Sequence, residues 1–233
     1  MNSAAAVGQR LRRRSVQNAV SAGRFAVLMR CDSWPIKRAF LQWILWLAKG
    51  AVSVLLSAIE IKPAVNGEWY VSDTRLGPMV HACLYPGEGN SGKLVTLVRS
   101  RAREIAAECG SAYILIDGSP GLGCPVIASV AGSDLAVIVT EPTISGEHDL
   151  LRIVALTKHF RVPTVVCINR SDINPAIADR IAVVSEAQGL EVVGRIRYDR
   201  IVTEAQTAAK TVNEYTDGPV AEEIMAAWRR IIT

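Results

Sequence analysis

The chain has 233 residues, half of them hydrophobic, which suffices for one full α/β core or for one domain with an appendage. The net charge of +4 hides an asymmetry. Residues 1–57 hold nine Lys/Arg against one acid, and residues 58–233 hold seventeen against twenty-one acids. This distribution argues against a nucleic-acid-binding surface on the main body.

The five cysteines are odd in number, and none of them forms a C-x-x-C pair. That pattern disfavours a disulfide scaffold and a zinc ribbon, and it favours a reducing, cytoplasmic location. The three histidines are far apart in the sequence and show no paired spacing typical of metal ligands. We therefore expect no metal cluster built from them.

Residues 1–57 form an atypical segment that is basic and rich in tryptophan. The apolar stretch at residues 39–59 is long enough to span a membrane, but Lys49 in the middle is unfavourable there. Three interpretations stay open: membrane contact, a helix docked on the domain, and poorly ordered or non-native sequence. We favour the last, and membrane contact is not favoured.

From about residue 58 onward, strand and helix patterns alternate, which predicts right-handed crossovers and a three-layer α/β fold with a mostly parallel sheet. The strands are expected at 67–72, 79–84, 113–117, 135–140, 163–168 and 191–196. The helices are expected at 92–109, 124–132, 146–160, 174–188, 201–209 and 219–232.

The most informative stretch is Tyr113-Ile-Leu-Ile-Asp-Gly-Ser-Pro-Gly121. Its unbroken apolar run predicts a buried parallel strand. Asp117 then stands at the carboxyl end of that strand, where α/β sheets bind their ligands. We interpret Asp117 as a Walker B-type aspartate that holds the Mg²⁺ of a nucleotide through water.

Four strings of the sequence share one resemblance. They are Gly67-Glu-Trp-Tyr-Val-Ser-Asp-Thr-Arg75, Ile116-Asp-Gly-Ser-Pro-Gly-Leu-Gly-Cys-Pro125, Val139-Thr-Glu-Pro-Thr-Ile-Ser-Gly146 and Cys167-Ile-Asn-Arg-Ser-Asp-Ile-Asn174. With them, residues 59–232 resemble the carboxy-terminal half of a MinD/ParA-type P-loop ATPase, more narrowly the subfamily with an inserted ferredoxin-like 4Fe-4S domain. The resemblance implies a P-loop NTPase-like fold that is incomplete at its amino-terminal side, with a MinD-like nucleotide-binding domain over 58–233.

In that family, ATP binds between two protomers or domains, and its hydrolysis is coupled to partner binding or redox delivery. The resemblance makes Asp117 the catalytic, Mg-holding acid and places Pro120 and Gly121 beside the γ-phosphate. Asn169 would read a purine edge through its amide. Asp172 would support Asn169 or cap the next helix. Asp199 falls where the family lines the base and ribose, although Arg197 replaces the family's usual proline.

Two further loops are weaker candidates for contact with a nucleotide. Glu141-Pro-Thr143 follows a strand, where the family's loop flanks the nucleotide and the partner subunit, but a plain helix-start turn is an equally good interpretation. Gly87-Glu-Gly-Asn-Ser-Gly-Lys93 matches most of a phosphate loop, yet Leu94 replaces the hydroxyl residue that would hold Mg²⁺. We expect a turn and a helix start at 87–93.

The family's glycine- and lysine-rich phosphate loop is not found in residues 1–57. The cysteine ligand and proline that should end the ferredoxin insert are replaced by Leu55-Leu-Ser-Ala58. Truncation or a reading-frame change upstream would explain both losses. The chain is therefore expected to be a fragment, with Mg-ATP binding weak or lost and with the 4Fe-4S ligands absent.

The leading hypothesis is a MinD-like ATPase domain with impaired hydrolysis, and whether it is an enzyme stays open. The expected partners are ATP and a second copy or an intact relative, and no nucleic acid. The alternative is a catalytically inert interaction protein that docks onto an intact relative. An iron–sulfur electron carrier is disfavoured because cluster-ligand cysteines are missing.

Overall fold

The computed structural model describes residues 25–30, 67–86 and 92–233, with only the backbone described for 25–30. The strands are β1 Phe25–Arg30, β2 Gly67–Thr74, β3 Gly77–Leu84, β4 Tyr113–Gly118, β5 Leu135–Thr140, β6 Thr164–Asn169 and β7 Glu191–Ile196. The helices are α1 Lys93–Cys109, α2 Cys124–Val130, α3 Ile144–His159, α4 Pro175–Ala187, α5 Arg200–Thr207, α6 Val212–Tyr215 and α7 Pro219–Ile232. The elements expected from residue 67 onward are all present.

The main sheet has five strands in the order β4-β1-β5-β6-β7. Strands β5, β6 and β7 are mutually parallel. Strand β1 runs antiparallel to both β4 and β5, so β4 points in the same direction as the three parallel strands. The expected α/β fold with a mostly parallel sheet is confirmed.

Strand β1 departs from the expectation that the domain begins near residue 58. It pairs along its whole length with β4, from Phe25 opposite Gly118 to Arg30 opposite Tyr113. It also pairs with the first four residues of β5. Residues 25–30 thus pair with the main sheet as a strand that the sequence patterns did not predict, and the domain boundary near residue 58 stays a prediction. The rest of 1–57 and the apolar stretch 39–59 lie outside the described residues, and their character stays a prediction.

Helices cover both faces of the sheet, which makes three layers. On one face, α2, α3 and α4 bury a cluster that includes Val126, Leu150 and Ile181 with Ile138 and Ile168 of the sheet. On the other face, a smaller cluster of Val137, Cys167 and Val193 is covered by Ile231 of α7. Burial raises the pKa of the Cys167 thiol to about 11, which makes it a poor nucleophile.

Strand β4 is less buried than its apolar run predicted. Residues alternate along it, so that Tyr113, Leu115 and Asp117 are exposed while the residues between them are partly buried. Leu115 is 63% exposed. The physical reason is position: β4 is the edge strand of the described sheet. Trp228 of α7 meets the Tyr113 ring at 6.5 Å between centroids.

Strands β2 and β3 form a separate antiparallel hairpin rather than joining the main sheet. Arg75 at its tip donates hydrogen bonds to the Ala209 carbonyl at 3.0 Å and to Glu214 at 2.8 Å. Glu214 also accepts from the backbone N–H of Thr211 at 2.7 Å, within the capping box of α6. The hairpin tip is thus tied to the turn after α5 and to α6.

Helix α1 is held against α2 by a buried arginine. Arg99 is 8% exposed and donates from Nη1 to the carbonyls of Ala128 and Ala131, the latter at 2.9 Å. These carbonyls belong to the carboxyl end of α2, where cations are favourable. Burial lowers the pKa of Arg99 to about 10, still well above neutral pH, so the guanidinium stays charged.

The packing of α7 on β7 requires a glycine. A Cβ at Gly194 would lie 2.7 Å from the Cβ of Ala227. We expect Gly194→Ala to lower the free energy of unfolding by about 1–3 kcal/mol, because the helix must shift. Urea denaturation followed by circular dichroism measures this.

The matched control is Ala227→Gly, alone and together with Gly194→Ala. Since it removes the clashing Cβ, the loss in the double variant should be smaller than the sum of the two single losses. Strict additivity, or a neutral Gly194→Ala, would contradict this packing.

Candidate functional site

The carboxyl ends of β4, β5, β6 and β7 lie at one edge of the sheet, because these four strands share one direction. Asp117 is near the end of β4, Glu141 follows β5, Asn169 ends β6 and Asp199 lies shortly after β7. The expectation that these residues lie at the same edge is confirmed. This is the edge at which open α/β sheets bind ligands.

The loops after β6 and β7 are tied together by backbone and side-chain hydrogen bonds. The N–H of Ser171 donates to the Ile196 carbonyl at 2.9 Å. The N–H of Tyr198 donates to Oδ1 of Asp172 at 2.6 Å. Two loops from different strands therefore hold each other in place at the edge of the sheet.

Arg170 connects these loops to the loop after β5. Its guanidinium lies 3.3 Å from the Glu141 carboxylate and 5.8 Å from the centroid of the Tyr198 ring. Its backbone has φ of 53°, in the left-handed region that non-glycine residues rarely adopt. Such backbone conformations persist where surrounding contacts determine them, and they cluster at functional sites. Arg170 lies within the string Cys167–Asn174 but was given no role there, and no sequence pattern singled out Tyr198.

Two carboxylates expected at the nucleotide accept hydrogen bonds from the protein's own backbone. Asp199 caps α5 by accepting from the N–H of Ile201 at 2.9 Å. Asp172 accepts from Tyr198 and does not cap α4, since Asn174 does so through the N–H of Ile177 at 3.2 Å. Both residues shape the loops around the site, and their contact with a nucleotide stays a prediction.

Arg197, which stands where the resemblance expects proline, anchors the end of β7 to α7. Its backbone N–H and its Nε each donate to Glu223 at 2.8 Å. This hydrogen bonding raises the pKa of Arg197. The departure from the family pattern thus creates a contact that proline could not make, because proline has no N–H.

A cavity of about 280 Å³ opens beside this cluster, between the turn after β4 and the start of α3. Pro120 and Gly121 line it, as does Glu141. Its other lining residues are Leu122, Ile138, Val139, Thr140, Thr143, Ser145, Gly146, Asp149, Leu150, Arg152 and Ile153. The mixture of an apolar floor with a few polar groups is typical of small-molecule sites.

The wall of this cavity depends on close backbone packing at Gly146. A Cβ there would lie 2.4 Å from the Glu141 carbonyl oxygen and 2.9 Å from Oγ1 of Thr140. Thr140 donates to the Gly146 carbonyl at 3.0 Å, and the Gly146 N–H donates to the capping Thr143 at 2.9 Å. The Glu141-Pro-Thr143 loop is thus a helix-start turn, as one of its two interpretations held.

Asp117 does not line the cavity. In the sheet register it lies opposite Ala26, which lies opposite Val137, and residues directly opposite share a face. Val137 belongs to the α7 side, whereas the cavity opens on the side of Ile138 and Leu150. Asp117 is exposed on the α7 side. Asp117 and the Pro120–Gly121 turn therefore lie near the carboxyl ends of the same strands but on opposite faces of the sheet.

Metal and membrane features are sparse in the part of the chain that the structure describes. It holds no group of three or more His, Cys, Asp or Glu side chains placed to bind a metal ion. Among the same residues, no helix has both the length and the apolar character needed to cross a membrane. The cysteines at 83, 109 and 124 are exposed, and Cys167 is buried.

Of the expected turn and helix start at 87–93, the structure describes only residues 92 and 93. Gly92, with φ of 79°, precedes α1, and Lys93 is its exposed first residue. Residues 87–91 lie outside the described part of the chain. Lys93 is not among the residues that line the cavity.

No family model matches the chain. Two curated relatives come from Methanocaldococcus jannaschii. Uncharacterized protein MJ0578 is 33% identical over 114 residues, which cover 48% of this chain and 40% of the relative. Uncharacterized ATP-binding protein MJ0547 is 25% identical over 120 residues, covering 51% and 46%. The chain thus spans less than half the length of these relatives.

Among solved structures, the MinC:MinD cell division protein complex of Aquifex aeolicus is similar to this chain with a TM-score of 0.51 and 17% identity. The match covers 81% of this chain and 72% of that one. At this identity the likeness concerns the fold alone. The chain has an α/β fold of the MinD/ParA, P-loop NTPase-like class.

The capping role of Asp199 predicts a stability effect that needs no nucleotide. Asp199→Ala should lower the free energy of unfolding by about 1 kcal/mol, because the first turn of α5 loses its acceptor. Asp199→Asn keeps a side-chain oxygen and should stay close to the parent protein. Urea denaturation without nucleotide measures both, and an equal loss in the two variants would contradict the capping role.

Proposed function

We propose that this chain is a MinD-like nucleotide-binding domain that takes Mg-ATP at the carboxyl edge of its sheet and hydrolyses it at most marginally. The observation that carries the proposal is the convergence of three strand-end loops beside a cavity. Glu141 belongs to both features, since it lines the cavity and pairs with Arg170 of the next loop. The similarity to a protein named as ATP-binding supports the same class of ligand.

Each residue at this edge makes a different proposed contribution to nucleotide binding. Asn169, half-buried at the end of β6, offers an amide that both donates to and accepts from a purine edge. Asp172 and Asp199 hold the surrounding loops through their backbone hydrogen bonds. Pro120 and Gly121 flank the phosphates, and the φ of 86° at Gly121 gives the turn a conformation suited to glycine.

Asp117 keeps its proposed role as the acid that holds Mg²⁺ through water. A carboxylate is a suitable ligand, because Mg²⁺ prefers oxygen donors and retains several waters. Asp117 is exposed, which leaves room for a hydrated ion. Bound Mg²⁺ would neutralise phosphate charge. Because Asp117 lies on the α7 side and Pro120 and Gly121 line the cavity on the other side, the phosphates would have to lie over the strand end between them.

Weak hydrolysis follows from the sequence. The phosphate loop of this class supplies several backbone N–H groups and a lysine to the β- and γ-phosphates, and residues 1–57 contain no such loop. Those groups provide much of the electrostatic stabilisation in phosphoryl transfer. We propose that a second copy or an intact relative is the partner of this chain, and that the 4Fe-4S chemistry belongs to intact relatives.

The alternative, a catalytically inert interaction protein that docks onto an intact relative, has one observation in its favour. Leu115 and Asp117 are exposed on the β4 strand at the edge of the described sheet. A strand of this kind readily accepts another element, either along its edge or over its apolar face. An inert docking protein would bind that relative without binding ATP.

We expect purified protein to show marginal ATP hydrolysis, and Asp117→Ala to change it little. Losing one oxyanion-type donor costs roughly 10²–10³ in rate elsewhere, so loss of a whole phosphate cradle leaves almost nothing to remove. Steady-state phosphate release measures turnover, and titration calorimetry with Mg-ATP should give a dissociation constant on the order of 1 mM or weaker.

Robust turnover that Lys93→Ala abolishes would overturn this proposal. It would identify residues 87–93 as a working phosphate loop. Complete absence of ATP binding, together with tight binding to an intact relative, would favour the inert interaction protein.

A further inference from the structure

The outer side of β4 is the edge of the main sheet in the part of the chain that the structure describes. The strand is regular, because its pairing with β1 continues without a bulge over its whole length. Edge strands are commonly protected from other chains by Lys, Pro, a bulge or a covering element. The six residues of β4 include no Lys, Arg or Pro, and their only charge is that of Asp117. This edge therefore has the features of a strand that pairs with another strand.

The faces of β4 are apolar at the centre of the strand and polar toward its ends. Leu115 is 63% exposed on the α7 side, where Tyr113 and Asp117 are exposed on either side of it. Ile114 and Ile116 lie on the opposite face and are partly buried. A strand that pairs with this edge would therefore cover apolar groups at its centre and meet a phenol and a carboxylate toward its ends.

The order of residues in β4 makes the strand complementary to itself. When a two-fold axis stands perpendicular to the sheet, the edges of two copies meet antiparallel and each face continues across the interface. Residues directly opposite each other must then lie on the same face. With Leu115 on the axis, Leu115 lies opposite its own copy. In the same register, Ile114 lies opposite Ile116 of the second copy, and Tyr113 lies opposite Asp117 of the second copy.

The two neighbouring registers pair unlike groups. Placing Ile116 on the axis puts Asp117 opposite Leu115 of the second copy. Placing Ile114 on the axis puts Tyr113 opposite Leu115 of the second copy. Of the three registers, the one centred on Leu115 pairs apolar residues with apolar residues and a hydroxyl with a carboxylate, and cross-strand pairs of this kind stabilise a sheet.

We propose that β4 is a homodimerisation surface, on which a second copy of this chain adds its own β4 antiparallel with Leu115 at the two-fold axis. The inference takes from the proposed function only the second copy as partner, and it does not depend on nucleotide binding. Tyr113 of each copy donates its hydroxyl proton to Asp117 of the other, since a carboxylate accepts several hydrogen bonds alongside its existing contacts. The pairing adds roughly four to six backbone hydrogen bonds and joins the two sheets into one.

The dimer should be weak, because a pair of short strands forms a smaller interface than stable complexes have. We expect a dissociation constant on the order of 10–100 μM. Sedimentation equilibrium of the full chain without nucleotide, at concentrations below and above this range, measures the constant directly.

Leu115→Lys tests the centre of the surface, because it places two like charges opposite each other on the axis. We expect the dissociation constant to rise at least about tenfold. Val183→Lys is the matched control, since it makes the same charge change on α4 at a residue that is 64% exposed. This control should dimerise like the parent protein. Circular dichroism and urea denaturation show whether both variants keep the fold.

Two further variants test the register. Tyr113→Phe keeps the ring and removes the hydroxyl from both copies, so the dissociation constant should rise at least about fivefold. Leu115→Cys places two thiols opposite each other, within reach of a disulfide. Mild oxidation should then join the copies through position 115, which mass spectrometry of the linked peptides identifies. Val183→Cys is the control and should form no such link.

The expected result is a parent protein that dimerises, with dimerisation weakened by Leu115→Lys and unchanged by Val183→Lys. Equal dimerisation of Leu115→Lys and the parent protein would overturn the proposal. A monomeric parent protein would overturn it too, and slow amide exchange in β4 of that monomer would assign the edge to another segment of the same chain. Nucleotide binding is measured separately. A dimer that binds no Mg-ATP contradicts the proposed nucleotide binding alone, and a monomer that binds Mg-ATP contradicts the dimer surface alone.

Discussion

The pairing of β1 between β4 and β5 is the constraint on which the rest of the sheet depends. In the described part of the chain, β4 is joined to the parallel strands through β1 alone. The pairing with β1 therefore sets the register of β4 in the sheet, including the face on which Asp117 lies. An antiparallel strand between two parallel ones is unusual in a sheet of this class, where right-handed crossovers keep neighbouring strands parallel.

At the other side of the sheet, parallel pairing of β5, β6 and β7 brings three loops together at one edge. Three contacts then hold these loops together. Glu141 pairs with Arg170, Arg170 lies over the Tyr198 ring, and Asp172 accepts a hydrogen bond from the backbone N–H of Tyr198. Most of these groups are partly exposed, so each contact alone contributes little to stability. Their joint effect is to hold the loops in one arrangement, which is what a binding site requires.

Sequence patterns predicted the elements from residue 67 onward because apolar periodicity is a local signal. The cap of α4 was expected at Asp172 as one alternative, but Asn174 is the capping residue. Sequence patterns did not predict β1, since its short apolar run lies in a segment of unlike composition and its direction is set by tertiary pairing. The buried character of β4 was overestimated because burial depends on neighbours. Likewise, the acceptor role of Asp172 requires knowing that the β7 loop lies beside it. Arg170 carried no local signal, because its left-handed turn and its two partners come from three different loops.

Hydrogen–deuterium exchange with and without Mg-ATP tests the central claim most directly, namely that nucleotide binds where the loops after β6 and β7 meet. Binding there should slow amide exchange in residues 170–173 and 197–201, because their backbone N–H groups lie in the two loops that hold each other. Exchange in the β2–β3 hairpin should stay unchanged. Protection confined to residues 87–93, with none in the two loops, would contradict the account.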